Sequence, residues 1–333
     1  MNGVFNGCRK VEKVETEEKE ALDCVHEMDT INHYVGMYPI AAGGVVERAF
    51  SPFITSLLGT MLVGFLFTDA KRRTAALAIG FAAITVWMSM TYYGEEGIRY
   101  QNIGYLKALV TALDQDTSED DASDIDPAAA ALIARLKASL GEMEEEKPEE
   151  SGLSEKERLI KYLRDTFVAD QERRPEGERQ EWNGSNAQVL KWHYEKSLGR
   201  YFNVPEEIIP MVKKMSLAAD LTFWALLVAM AIVVIGARRT GGLVYWLLVI
   251  PSILLPVFFV VDYSAWLWWY GHSLNAMGAF TVKPFMPTVF GDGKVAQFTT
   301  HSYPYIGFGL MLLSSALLAV AALMRRKQLR EST

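Results

Sequence analysis

Cysteine is scarce, and the chemistry that depends on it is excluded first. The chain has two cysteines in 333 residues, Cys8 and Cys24. Neither C-x-x-C nor C-x-x-C-H occurs, which removes a disulfide framework, a thioredoxin-type motif and covalent haem attachment. Histidine is nearly as sparse, with five in all: His26, His33, His193, His272 and His301. None lies in the middle of a long apolar run, which disfavours haem held between two membrane helices. No H-x-x-x-H or H-E-x-x-H is present to hold a hydrolytic zinc. A phosphate loop is also missing: before Gly293-Lys294, Thr288 stands where the first glycine belongs, and Val295 follows the lysine. The EF-hand pattern and any evident inverted repeat are lacking as well. With 33 Lys and Arg against 40 Asp and Glu, the net charge of −7 leaves no basic excess for nucleic acid. The first 25 residues contain no apolar core, so a cleavable signal peptide is not expected and internal segments should direct insertion.

Charge is the most unevenly distributed property. It nearly vanishes from five tracts, each close to the roughly 20 residues that cross a bilayer as a helix. These are Ser51 to Thr68, Thr74 to Gly94, Leu217 to Ala237, Gly241 to Val261 and Tyr305 to Met324. Pro52 suits a helix start, where the missing N–H costs little. Pro251 and Pro256 should kink the fourth tract. The fold class expected is therefore an all-α integral membrane protein with five transmembrane helices, an extracytoplasmic helical cap and a structured outer loop, set in a lipid bilayer.

Orientation follows from the basic junctions. Lys71-Arg72-Arg73 joins the first two tracts, Arg238-Arg239 joins the third and fourth, and Arg325-Arg326-Lys327 with Arg330 follows the fifth. With an odd number of crossings all three fall on one side, and the positive-inside rule makes it cytoplasmic. This predicts an inner-membrane, multi-pass protein with its N-terminus outside and its C-terminus in the cytoplasm. The organisation expected is an outer tail over 1–50, helices one and two over 51–94, and the acidic cap over 95–216. Helices three and four then cover 217–262, the outer loop 263–303, and the last helix with its basic tail 304–333. Trp87, Tyr92 and Tyr93, and later Tyr263, Trp266, Trp268, Trp269 and Tyr270, supply aromatic belts at the outer interface.

Within 95–216, residues 98–115 carry apolar positions at helical spacing and should extend the second helix outward. Polar breaks surround a short helix begun at Asp126-Pro127. Ser154 and Glu157 form a capping box for a helix over 155–167. A further helix, from Asn186, leads through Pro205 and Pro210 into the third tract. Asn183-Gly184-Ser185 matches a glycosylation acceptor. The density of carboxylates here is that of a solvated acidic surface.

Candidate chemistry concentrates outside. His272 and His301 bracket the outer loop, with Met277 and Met286 between them. Neutral imidazole and soft thioether suit Cu(I), so these four are the candidate metal ligands, and copper the candidate cofactor. Cys24, His26, Met28 and His33 form a second thiol–imidazole group. Asp262, Trp266 and Trp269 are the candidate residues for binding a quinol at the outer leaflet. Pro284, Pro287 and Pro304 stiffen the loop, and Gly291-Asp292-Gly293 suggests a hairpin turn. Phe280, Phe285, Phe290 and Phe298 make it unusually apolar. The favoured function is an accessory, electron-delivery or docking subunit for an extracytoplasmic respiratory or copper-containing enzyme, with that enzyme as protein partner and no catalysis of its own. The alternatives are a quinol-reactive subunit of a membrane oxidoreductase and a structural or sensing membrane protein without chemistry.

Overall fold

The computed structural model describes residues 5–6, 32–114, 153–295 and 298–331. In chain order the elements are β1 (Phe5–Asn6), α1 (Ala41–Leu66), α2 (Ala70–Tyr92), α3 (Ile103–Asp114), α4 (Glu155–Glu172) and α5 (Asn186–Leu198). There follow α6 (Pro205–Gly236), α7 (Leu243–Trp246), α8 (Ile250–Ile253), α9 (Leu255–His272), β2 (Gly291–Val295), β3 (Phe298–Pro304) and α10 (Ile306–Glu331). They form two compact units, one of Met1–Gly44, Phe50–Val86 and Leu217–Thr333, the other of Val45–Ala49 and Trp87–Ser216.

Four helices, α1, α2, α6 and α10, are long and apolar enough to cross a membrane. Much of their aliphatic surface faces outward: Leu66, Ile79, Leu221, Ile235, Leu310, Leu317 and Leu323 are all exposed. A water-soluble fold would bury such residues, whereas lipid accommodates them without a core. The protein is mostly helical and has the character of a multi-pass membrane protein.

Two expectations about these helices are corrected. Pro52 does not open the first helix but lies inside α1, which begins at Ala41. The eleven residues upstream, including Val45 and Val46, belong to the same helix, and a membrane helix tolerates an internal proline. The fourth tract is not one continuous helix but two single turns, α7 and α8, followed by α9. Pro251 and Pro256 cannot donate to the carbonyls four residues back, and Val249 leaves helical geometry at φ −124°. The interruption is lined by protein, since Tyr245, Leu248 and Val249 are fully buried. Ser315 Oγ of α10 donates to the Ile253 carbonyl at the break. Buried irregular backbone with such a donor is the form a membrane interior permits.

The second unit is built on α3, α4 and α5. Leu106, Leu109, Val110 and Leu113 bury one face of α3, and Leu159, Leu163 and Phe167 bury one stripe of α4. Each such side chain contributes about 2 kcal/mol by leaving water. Ser154 caps α4 as the sequence indicates: Glu157 N donates to Ser154 Oγ at 3.3 Å, and Ser154 N donates to Glu157 Oε2 at 2.7 Å. Residues beyond Tyr92 do not extend α2. The chain turns at Glu96, which adopts φ 50°. Glu96 N donates to the Asn183 carbonyl at 2.8 Å and Ile98 N to the Gly184 carbonyl at 2.9 Å. Tertiary backbone pairing thus separates this stretch from α2, while the helical spacing read across 98–115 is realised as the separate helix α3, Ile103–Asp114. The short helix expected at Asp126-Pro127 lies outside the described residues.

Near the C-terminal end a three-stranded antiparallel sheet runs in the order β1-β3-β2. Asp292 pairs with His301 and Val295 with Phe298. The hairpin expected around a turn at Gly291-Asp292-Gly293 is therefore corrected: those three residues belong to β2 itself and pair with Ser302, His301 and Thr300 of β3. Strand β1 pairs its Phe5 with Pro304 and its Asn6 with Tyr303.

Candidate functional site

The first unit carries a built surface where residues 32–43, the end of α9 and the segment 273–305 meet. Its floor is a small core of Tyr263 and Leu267, with Ile40, Phe259, Val289 and Phe308 packed around them. Ser302 Oγ donates to the Val289 carbonyl at 2.8 Å, so its lone pair is left to accept from Tyr263 OH at 3.2 Å. The first bond ties β3 to the loop before β2, and the second pins it to α9. Tyr303 OH then donates to Asp292 Oδ1 across the strands at 2.8 Å.

The segment before α1 is the other half of the surface, a contribution that hydropathy alone does not indicate. Asn275 N donates to the Gly36 carbonyl at 2.7 Å, and Phe280 N donates to the Tyr34 carbonyl at 3.0 Å. Asn275 Nδ2 donates to Tyr38 OH at 3.0 Å, and Asn275 Oδ1 accepts from Met277 N at 2.8 Å. Gly36 adopts φ +84°, and a Cβ there would collide with the Asn275 carbonyl oxygen. Tyr38 and Met37 are fully buried and Asn275 almost so. One buried asparagine thus binds two chain segments 239 residues apart by backbone and side chain together, and the segment 32–40 clasps the loop. A faint signal was available in the run His33-Tyr34-Val35-Gly36-Met37-Tyr38-Pro39, a glycine among aromatics just before a helix. Nothing in it names Asn275 as the partner.

The residues singled out from the sequence distribute around this clasp. His272 is exposed at the end of α9, and its Nδ1 donates to the Trp268 carbonyl at 2.8 Å. Its ring stacks on Trp268 with centroids 4.3 Å apart. Its hydrogen bond and ring contact stay within its own helix and do not reach Met277 or Met286. Met277 and Met286 are 69% and 47% exposed, so neither is buried in a preformed pocket. His301 sits on β3 opposite Asp292. Among the described residues no three of His, Cys, Asp or Glu gather as a metal site. Of the second thiol–imidazole group, Cys24, His26 and Met28 lie outside the described residues, and His33 stacks against Tyr34 at 4.1 Å.

Asp262 is exposed on α9, one turn before Trp266. The indole of Trp266 lies where a Cβ on Gly43 of α1 would stand, so the ring packs directly on the α1 backbone there. Trp269 stacks on Trp266 at 6.5 Å and Tyr270 meets it edge-on at 5.5 Å. Trp266 is thereby occupied in packing α9 onto α1, while Asp262 faces outward beside it.

At the opposite end of α1 lies a second construction. Arg73 is fully buried. Its Nε donates to the Ala237 carbonyl at 2.7 Å and its Nη1 to the Phe67 and Thr68 carbonyls, both at 3.3 Å. Nη2 donates to Thr240 Oγ1 at 2.9 Å and to the Arg238 carbonyl at 3.4 Å. The guanidinium carbon lies 4.9 Å from the centre of the Tyr245 ring. Arg325 repeats the device, with Nη2 donating to the Phe65 and Leu66 carbonyls at 3.3 and 3.2 Å. Two arginines thus satisfy the orphan carbonyls that end α1 and α6, where the helix dipoles also favour positive charge. In the sequence their charge marks topology; the capping role depends on the fold.

Comparison with protein families, with characterised proteins and with solved structures finds no match to this chain. Function has to be argued from the two constructions themselves.

Proposed function

We propose that the chain crosses a membrane five times and serves as an accessory or docking subunit whose outer surface receives an extracytoplasmic protein partner. In this reading the broken segment α7–α9 completes the fifth crossing. Thr240 at its start is held by Arg73, and Trp266 near its end packs at Gly43, so the segment connects the two ends of α1. The Arg73 end faces the cytoplasm, following the basic junctions.

One observation carries the docking role. The clasp fixes the backbone of 273–280 through buried bonds, yet Met277, Phe280, Met286 and Phe290 remain 69%, 64%, 47% and 49% exposed on it and on the segment that follows. Apolar side chains held out by an ordered scaffold lose little entropy when covered, which suits recognition. A respiratory or copper-containing enzyme is the partner class this reading favours. A photo-crosslinker placed at Phe280 in native membranes should capture one partner in constant ratio. Breaking the clasp with Gly36→Ala should abolish that capture. Equal capture from the clasp-broken protein would remove the docking role, and labelling of a cysteine at Asp292 only after cell lysis would reverse the sidedness.

The copper version of this role rests on His272. Donation from Nδ1 to Trp268 fixes the tautomer and leaves the Nε2 lone pair for a ligand, the arrangement by which a backbone acceptor orients a metal-binding imidazole. Met277 and Met286 would complete a soft, exchangeable site with His301. Cu(I) titration should show binding that His272→Ala with His301→Ala removes; equal binding by both proteins eliminates this version.

A further inference from the structure

The three basic junctions are drawn together at the Arg73 end. Arg73 bonds to the backbone of Ala237 and Arg238, which brings the start of α2 against the end of α6. Arg325 bonds to the last carbonyls of α1. Gly241, just past Arg239, approaches Leu329 of α10, its Cβ position lying 3.9 Å from the leucine Cδ1. Arg73 and Arg325 are consumed by helix carbonyls. Around them Lys71, Arg72, Arg238, Arg239, Arg326, Lys327 and Arg330 stay exposed. Their acidic neighbours are Asp69, which accepts from Arg72 N at 2.8 Å, and Glu331, 3.8 Å from Lys327. Seven exposed cations against two carboxylates leave a strongly positive collar.

The level of this collar along the helices is its most informative property. On α10 the exposed aliphatic surface runs through Leu313, Leu317, Val320, Leu323 and Met324, and the cations begin at the next residue. At the end of α6, exposed Ile232 and Ile235 give way to Arg238 and Arg239 within three residues. Leu66 is exposed at the end of α1, and Lys71 and Arg72 follow across the turn. A basic ring that starts where lipid-facing aliphatics stop lies at the depth of the headgroup phosphates. Clustered Lys and Arg at that depth attract anionic lipid.

We propose that this collar is a binding surface for anionic phospholipid headgroups, with Arg238, Arg239, Arg326 and Lys327 as the main phosphate contacts. Arg73 and Arg325 are positioning residues that hold the three junctions in one ring. The proposal rests on the membrane-spanning reading, which is tested separately by whether the protein stays in membranes through a carbonate wash.

The test uses purified full-length protein reconstituted in phosphatidylcholine vesicles. Brominated phosphatidylglycerol or brominated phosphatidylcholine is added, and the quenching of tryptophan fluorescence is read. Trp246, 6.4 Å from Phe65 at this end, is a reporter. The wild type should be quenched preferentially by phosphatidylglycerol, and 0.5 M salt should weaken the preference. Arg238→Gln with Arg239→Gln, and separately Arg326→Gln with Lys327→Gln, should reduce the relative affinity by about fivefold for each cation removed. Lys161→Gln with Lys283→Gln, exposed and remote in sequence, should leave it unchanged. Equal quenching by both lipids in the wild type would overturn the proposal. So would an unaltered preference in both collar variants, given thermal midpoints in detergent that show them folded, or an equal loss in the control variant.

Discussion

His193 gives the second unit a defined response to acid. It is fully buried, with Nε2 3.1 Å from the Leu109 carbonyl and Nδ1 3.3 Å from Ser197 Oγ. A carbonyl can only accept, so Nε2 carries the proton and Nδ1 accepts from the serine. Protonating Nδ1 would bury a charge and remove that acceptor. Burial, with Arg200 nearby opposing a second positive charge, pushes His193 down to about 4 despite the favourable carbonyl bond. The unfolded chain titrates at the ordinary value near 6.5, so between these values it binds more protons than the folded one. The stabilisation is complete above pH 6.5 and is lost as pH falls through about 4. The loss is about 2 kcal/mol by pH 5 and about 3 kcal/mol once both states are protonated. Hydrogen exchange of peptides covering α3 and α5, corrected for intrinsic rates, should therefore quicken about thirtyfold between pH 7.5 and pH 5. His193→Gln keeps a donor for Leu109 and cannot ionise, so it should flatten that dependence. The acid response of Asp170 lies lower. Although burial opposes it, Lys196 at 2.5 Å and Arg174 at 3.3 Å hold its carboxyl below the usual range. Its contribution is present above about pH 4 and is lost only in stronger acid. An equal acceleration in wild type and His193→Gln, or none in the wild type, would refute the reasoning.

Three other perturbations have definite outcomes. Gly36→Ala puts a side chain at φ +84° and against the Asn275 carbonyl, so it should open the clasp at a cost of about 2 kcal/mol or more, seen as faster exchange and proteolysis over 273–290 with α5 unaffected. Arg73→Gln leaves several helix-end carbonyls without a charged donor and should cost about 3 kcal/mol or more in detergent, read as a lowered thermal midpoint; Arg73→Lys should restore only part of it, because an ammonium lacks the planar fork that reaches both chain segments. Ser154→Ala should cost about 1 kcal/mol and speed exchange in the first turn of α4, where Glu157 N loses its acceptor.

The legibility of the fold varies with the physical origin of each element. Long apolar stretches are a property of composition, so α1, α2, α6 and α10 were visible in the sequence, each within about ten residues of its observed ends. The stripe of Leu159, Leu163 and Phe167 and the Ser154–Glu157 cap are local patterns and were equally visible. The failures come where a distant backbone supplies the deciding contact. Spacing alone favours continuing α2 into residues 98–115, but the carbonyls of Asn183 and Gly184 capture Glu96 and Ile98 and turn the chain. Hydropathy cannot distinguish a kinked helix from one broken twice, because Leu248 and Val249 are as apolar in α7–α8 as they would be in a continuous span. The donor that makes the break tolerable, Ser315, comes from a helix 62 residues later.

The outer surface shows the same division. Its exposed Phe and Met side chains were read directly from the sequence, because an apolar loop between prolines is a local statement. The clasp that presents them was not, since it depends on two glycine backbones meeting partners more than two hundred residues away: Gly36 with Asn275, and Gly43 with the indole of Trp266. Both glycines lie in the stretch 1–50 that hydropathy marks as a tail before the first crossing, and both are required by close approach, which leaves no periodicity to detect. The basic junctions carry an analogous double meaning. Counting charges puts Arg73 and Arg325 on the same footing as Arg72 and Arg326. In the structure the first pair ends helices and the second pair faces outward, so a charge count that indicates orientation overstates the number of cations left for lipid. A variant series across this end should therefore split in two, with Arg73 substitutions lowering stability at any lipid composition and Arg238 or Arg326 substitutions altering lipid preference at unchanged stability.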